Sequence, residues 1–283
     1  MAIQMIEKSV YSEESRVFTV KSLKIAIVQM NCVLADKAAN FAKATKMIAE
    51  NADMKAQLII LPELFSTGYM VAAHDRDLAE VIPGPTTEWL TDLAKQYHAY
   101  FAAAIIEQGE DGMLYDTAII VGPEGYMDKY RKIHLWGAEP ERFARGAALP
   151  VFKLPFATIG LQICYEIGFP EPARILTQAG AEIIVYTSAF GKARAYAWDI
   201  ASRSRALENG VYVLACNRIG TEEEAVFGGL SRVVAPNGDI VAGVSADAEC
   251  VISAVIDLDA IAEQRRAIPY LRDIYTKLIL EKF

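Results

Sequence analysis

Residues 158–174 read TIGLQICYEIGFPEPAR. Ile159 to Ile163 form a short apolar run broken only by Gly160 and Gln162, which predicts a buried strand. Cys164 stands where that strand ends. Tyr165 and Glu166 follow, then Gly168, Pro170 and Glu171, with a helix expected from about Pro172 to Gln178. A cysteine on a strand-to-helix turn presents its sulfur to a cleft, beside backbone N–H groups that have no helical partner. Taken alone, a single cysteine is more often a small buried core residue. Its reading therefore depends on the rest of the chain.

Outward from this stretch the pattern alternates. On the N-terminal side, LKIAIVQM (23–30), AQLIILPELF (56–65) and YFAAAIIEQ (100–108) are apolar strands, the second ending at Pro62-Glu63. Between them lie two helical patterns. Residues 36–54 place Ala38, Phe41, Ala42, Ala44, Met47 and Ile48 on one stripe, and residues 86–99 do the same with Trp89, Leu90, Leu93 and Tyr97. Residues 114–135 predict a hairpin turning at Gly122–Gly125, and 136–155 a loop. Beyond the cysteine come a buried strand (181–190), a helix stopped by Asn209-Gly210, and a strand over 211–220. Two or three further strands follow around the turn PNGD (236–239), and then a helix over 258–267. The alternation gives an α/β class. Strands that are apolar throughout need cover on both faces. Helices are few relative to strands, which favours two stacked sheets with helices outside.

The chain has 283 residues, 53% hydrophobic and 23% charged, enough for one large core. A formal charge of −8 and the lack of a basic stripe argue against a nucleic-acid or anionic-membrane partner. The N-terminus has no apolar signal core, so a cytoplasmic location is expected. Cys32, Cys164, Cys216 and Cys250 share no metal-type spacing, and His74, His98 and His134 do not cluster, so no metal is expected.

Three polar residues stand at the ends of strand patterns: Glu63 after LIILP, Lys132 within YRKIHL, and Cys164 after GLQI. Gathered at one sheet edge, they would supply a base, a cation and a nucleophile. A thiol with its usual pKa of about 8.5 is mostly protonated at neutral pH, so a neighbouring carboxylate can take its proton. An ammonium favours the thiolate and later an oxyanion. Read singly, Glu63 is an ordinary loop acid and Lys132 a hairpin lysine.

The segments LPELFSTGY (61–69), KYRKIHLW (129–136) and ICYEIGFPE (163–171) resemble the three signature segments of the nitrilase superfamily of carbon–nitrogen hydrolases, in the family's order. The resemblance extends from about Leu23 to Asp257 and is closest to the amidase-type branches. It implies a four-layer α-β-β-α sandwich, commonly assembled as a homodimer or higher homo-oligomer. It implies Glu63 as general base, Lys132 as oxyanion stabiliser, Cys164 as nucleophile and the Tyr165 backbone N–H as a second oxyanion donor. A further glutamate four residues before a Phe that precedes a glycine by three is common in the family. Phe143 and Gly146 fit, which selects Glu139 over the nearby Glu141. Tyr69, Glu166, Phe190 and Trp198 are the expected pocket residues. His134 is expected to support the site rather than react, Cys216 to be a buried strand residue, and Arg203 and Arg205 to make structural ion pairs. No cofactor is implied.

Family nitrilases commonly carry Trp after the nucleophile; here Tyr165 points to an amidase or carbamoylase. Branches acting on substrates with a free carboxylate place Arg three or four residues after the cysteine, where this chain has Ile167 and Gly168. The expected reaction is hydrolysis of a small neutral carboxamide to carboxylic acid and ammonia through a thioester. N-carbamoyl hydrolysis and then nitrile hydrolysis are the alternatives. From a different class, the chain would be an idle scaffold of the same fold, against which the intact Glu–Lys–Cys set argues. The expected organisation is an arm at 1–22, the hydrolase domain at 23–267, and an arm at 268–283 at a subunit interface.

Overall fold

A computed structural model describes residues 22–244 and 248–275. Nearly all of the expected N-terminal arm, and the end of the C-terminal one, lie outside the described residues. The chain opens with β1 (Ser22–Gln29), α1 (Lys37–Ala49), β2 (Leu58–Ile60), α2 (Asp75–Leu78), α3 (Pro85–Tyr97) and β3 (Tyr100–Gln108). Next come the hairpin β4 (Leu114–Gly122) and β5 (Gly125–Arg131), a one-turn α4 (Glu139–Arg142), β6 (Val151–Lys153), β7 (Thr158–Ile163), α5 (Pro170–Gln178), β8 (Ile183–Ser188) and α6 (Ala195–Asn209). The remainder is β9 (Tyr212–Asn217), β10 (Ile219–Glu222), β11 (Ala225–Gly228), β12 (Arg232–Val234), β13 (Ile240–Gly243), β14 (Cys250–Asp257), α7 (Asp259–Ala267) and α8 (Tyr270–Asp273).

Two six-stranded sheets result, ordered β14-β1-β2-β3-β4-β5 and β13-β12-β9-β8-β7-β6. Each has a parallel triplet, β1-β2-β3 in one and β7-β8-β9 in the other. In each, one antiparallel strand flanks the triplet on one side and two flank it on the other. The chain thus repeats one sheet pattern twice although its sequence shows no repeat.

The period-2 alternation of the strands decides what fills each layer. Ile25, Ile27, Leu58, Ile60, Ala102 and Ala104 share one core with Ile159, Leu161, Ile163, Val185 and Val213 of the second sheet. The intervening residues Ala26, Val28, Ile59, Phe101 and Ala103 face α1 and α3 through Ala44, Ile48, Leu90 and Leu93. On the other side of the molecule α5 and α6 pack against the second sheet. Gly160 interrupts the apolar run of β7 because a Cβ there would lie 2.9 Å from Leu176 of α5. The mixed α/β fold with two sheets flanked by helices is the expected one.

Local differences have physical causes. The strand expected over 56–65 pairs only over Leu58–Ile60, since Pro62 has no N–H to donate and Leu64 turns to φ 48°. α5 begins at Pro170, whose fixed φ suits a first helical turn. The strand expected over 211–220 divides into β9 and β10, and β10 pairs with β11 in a separate hairpin. The expected loop 136–155 contains α4 and β6. Helix α6 ends where expected, with Gly210 in the left-handed region at φ 55°.

Candidate active site

β2 and β7 are members of the two parallel triplets, and their C-terminal ends carry Glu63 and Cys164. Such ends are where open α/β sheets place ligand sites. Lys132 follows β5, and its backbone N–H donates to the Asp116 carbonyl of β4 at 2.9 Å. These pairings bring Glu63, Lys132, Cys164 and Glu139 into one buried cluster, each at most 6% exposed.

Lys132 organises the cluster. Its Nζ donates to Glu63 Oε1 at 2.6 Å, to Glu139 Oε1 at 2.9 Å and to Asp116 Oδ2 at 3.2 Å. Those three carboxylates have oxygens within 4.8 Å of one another, a spacing that would suit a metal ion. The cation between them is the chain's own ammonium, with one donor for each acid. Burial alone would lower the Lys132 pKa, but Glu63, Asp116 and Glu139 hold it well above its usual range. Burial likewise opposes ionisation of Glu63, and Lys132 outweighs it, so the Glu63 carboxyl lies below its ordinary value. Glu63 Oε2 also accepts the Ala189 backbone N–H at 2.6 Å, just after β8.

Cys164 closes β7 with φ 49°, in the left-handed region that non-glycine residues rarely adopt. It begins a single 3₁₀ turn, Cys164–Gly168. Its buried thiol lies near Glu63, whose charge acts on it. Burial first, then the Glu63 charge, push the thiol well above its usual range, with Lys132 opposing. The resting pair is therefore a thiol beside a carboxylate.

Glu139, on α4, is buried and fully bonded. Besides Lys132, it accepts the Tyr69 hydroxyl at 2.6 Å and the Trp136 backbone N–H at 2.7 Å. Glu141 is exposed, so the structure brings Glu139 and not Glu141 to the lysine. Tyr69 thus meets the cluster as a donor. Its own backbone N–H and that of Met70 donate to Glu222 Oε2, each at 2.9 Å, and Glu222 is ion-paired with the buried Arg218.

Two expected pocket residues are placed differently. Glu166 is fully buried, and its oxygens are taken by the Tyr130 hydroxyl (2.6 Å) and the backbone N–H groups of Ile133, His134 and Ile163. It pins the cysteine turn to the Lys132 segment instead of facing a substrate. Trp198 is core: it is 1% exposed, its Nε1 donates to the Leu230 carbonyl, and its ring packs on Phe190. Phe190 follows Ala189, and its ring faces the guanidinium of Arg194. Tyr165, next to the thiol, packs on Trp136 and Phe169, and the His134 ring stacks on Phe169 at 4.0 Å. Cys216 is buried in β9. Arg205 pairs with Glu208 at 3.1 Å, whereas Arg203 donates to the Gly238 carbonyl.

Sequence reasoning did not single out Asp116, Tyr130 or Glu222. Asp116 and Tyr130 sit inside the strands of a hairpin, where a polar residue reads as the solvent side. The available signal was that Asp116 is the one charged residue in the run LYDTAIIVG, a strand the structure buries from Leu114 to Gly122.

Both the sequence and the fold have counterparts among known proteins. The carbon–nitrogen hydrolase family model matches residues 24–266. A nitrilase of Pyrococcus abyssi is 38% identical over 257 residues, spanning 89% of this chain and 96% of the relative. An omega-amidase of Xenopus tropicalis is 35% identical, spanning 89% and 96%. The crystal structure of a Saccharomyces cerevisiae member of branch 10 of the nitrilase superfamily superposes with a TM-score of 0.82 at 31% identity, covering 88% of this chain and 95% of that one. With its paired parallel triplets, and with sequence likeness over nearly the whole hydrolase domain, this chain belongs to the carbon–nitrogen hydrolase family of the nitrilase superfamily.

Proposed function

We propose that the chain hydrolyses a small carboxamide to a carboxylic acid and ammonia through a thioester on Cys164. The observation that carries this reading is the buried gathering of the Cys164 thiol, the Glu63 carboxyl and the Lys132 amine at the ends of β7, β2 and β5, with Lys132 Nζ 2.6 Å from Glu63 Oε1. Glu63 takes the thiol proton as sulfur attacks the carbonyl carbon. Lys132 already donates all three N–H groups, so it stabilises the oxyanion through its charge, with the Tyr165 backbone N–H as the directional donor. Glu63 returns the proton to the amide nitrogen, which leaves as ammonia. It then removes a proton from water as the water attacks the thioester, and that proton goes to the departing sulfur. Glu139, held by three donors, fixes Lys132 and ties the Tyr69 hydroxyl to the cluster.

The turn after the nucleophile carries a buried Ile167 and an exposed Gly168, which gives no cation for an acid group and supports a neutral amide. A second reading, an amide bearing a free carboxylate, is favoured by Arg194. Its guanidinium lies 4.4 Å over the Trp136 ring and 5.6 Å from Phe190, with no carboxylate partner among the described residues. The curated relatives named omega-amidases and nitrilase set the panel. Ammonia release is measured against neutral amides, their carboxylate-bearing counterparts, nitriles and N-carbamoyl compounds. Turnover of amides that Cys164→Ala abolishes is the expected result. Amide turnover surviving in Cys164→Ala would reject the nucleophile. A preference for the acid member of a matched pair, lost in Arg194→Ala, would select the second reading.

A further inference from the structure

Three carboxylates and one ammonium share the buried cluster, so full ionisation would leave two uncompensated negative charges out of water. Burying net charge is strongly unfavourable, and a group in that position takes up a proton instead. Hydrogen-bond counting identifies the group. Glu63 accepts from Lys132 and from the Ala189 N–H, one donor on each oxygen. Glu139 accepts from Lys132, Tyr69 and the Trp136 N–H. Asp116 has only the longest of the three lysine contacts, 3.2 Å, and its Oδ1 is buried with no donor aimed at it among the described residues. Asp116 and Glu63 have carboxylate oxygens within 4.8 Å of one another, and two carboxyl groups so placed can hydrogen-bond only through a proton on one of them.

We propose that Asp116 is a positioning residue that works as a neutral carboxylic acid, donating a hydrogen bond to the Glu63 carboxylate. The proton removes the otherwise orphaned acceptor. It reduces the cluster to two carboxylates around one ammonium, which leaves Lys132 more of its attraction for a developing oxyanion. The donated bond also holds Glu63 as a carboxylate, ready for the thiol proton. Burial, then the charges of Glu63 and Glu139, push the Asp116 carboxyl well above its usual range, with Lys132 opposing. The charged and titratable groups facing it are Glu63 beyond β2, Lys132 beyond β5, and Glu139 and Arg142 on α4; Tyr69 and Cys164 complete the cluster.

Two measurements test this. Infrared difference spectra of wild type against Asp116→Asn at neutral pH should show the carbonyl stretch of one buried, protonated carboxyl, absent from Asp116→Asn and retained in Glu139→Gln. This arm does not depend on the hydrolase reading. The kinetic arm rests on that reading. Asp116→Ala should lower kcat by about ten- to a hundredfold, the loss of one hydrogen bond to a charged group, whereas Asp116→Asn, whose amide still donates, should lower it by no more than about fivefold. Without its donor Glu63 becomes more basic, so Asp116→Ala should also lose activity at about pH 5 relative to pH 8, and Asp116→Asn should not. A wild-type spectrum without the protonated band, or a band that persists in Asp116→Asn, overturns the proposal. So does equal damage from Asn and Ala, or activity extended to lower pH in both, because those outcomes mark an ionised Asp116. An alanine variant that fails to fold leaves the infrared result decisive.

Discussion

Cys164 carries two features that a purely structural cysteine has no reason to combine. Its φ of 49° costs on the order of 1–3 kcal/mol for a non-glycine residue, and its buried thiol lies near a carboxylate whose charge raises its pKa further. A thiol pushed up in this way is inert unless the same carboxylate removes its proton. Reactivity at Cys164 should therefore follow Glu63. With Glu63 ionised and held below its usual range, alkylation by iodoacetamide should be nearly level across neutral pH and fall only as the pH drops through that depressed value. In Glu63→Gln the rate should be lower and rise about tenfold per pH unit toward the thiol's own raised pKa. Cys32 and Cys216 are buried with raised pKa values, and Cys250 is only half-buried, its thiol raised by burial. Peptide mapping that found Cys250 modified before Cys164 would remove the special reactivity assigned here.

Strand ends carry most of the cluster, and this determined what was legible from residue order. Glu63 and Cys164 each close an apolar run, and Lys132 follows an alternating one, so their positions are visible without coordinates. Asp116 and Tyr130 lie within strands, and only the stacking of a second sheet makes their faces interior. Glu166 could be placed near the cysteine by adjacency, but its partners Tyr130, Ile133 and His134 are more than thirty residues distant. The opposite face of the same strands, one residue along from Asp116 and Lys132, carries the structural counterpart of the cluster. Glu107 on β3 accepts from Lys129 (2.6 Å) and Arg131 (2.6 and 2.9 Å) on β5 and from Thr117 (2.7 Å) on β4. Burial alone would raise its pKa; the donors, Arg131 first, hold it below the ordinary value. The sign follows by linkage: the stabilisation is complete above the unfolded carboxyl's pKa and is lost as pH falls through the lower folded value. Glu107→Gln should cost about 1–3 kcal/mol at pH 7 and flatten the acid side of the stability curve. Chemical denaturation at several pH values measures both, and a variant whose stability falls with acid as steeply as wild type would place the acid sensitivity elsewhere.

At the scale of the molecule, the same six-strand pattern appears twice, face to face, yet the two outer helical layers are not equally covered. The layer over the first sheet buries Leu90, Leu93, Ala44 and Ile48 beneath polar outer surfaces. On the opposite side α6 presents Tyr196 and Ile200, one turn apart on the same helix face and 70% and 63% exposed, and α5 adds Ile175 at 47%. α8 lies beside α6 across a cleft lined by Arg174, Leu207 and Tyr270, and Tyr275 beyond it is 62% exposed. A cluster of large apolar side chains on neighbouring helices is more than scattered surface apolarity, and such patches mark contact surfaces. A second copy of this chain pairing through α5 and α6 would extend the layers from two sheets to four. Sedimentation at micromolar concentration should give at least a dimer. Ile200→Glu, which puts a charge in the middle of the patch, should shift it to monomer by about two orders of magnitude or more in the dissociation constant without changing the melting of the monomer fold. A wild-type chain that sediments as a fully active monomer would show that this face is simply solvated, and that the cluster behind Cys164 needs no partner to hold its geometry.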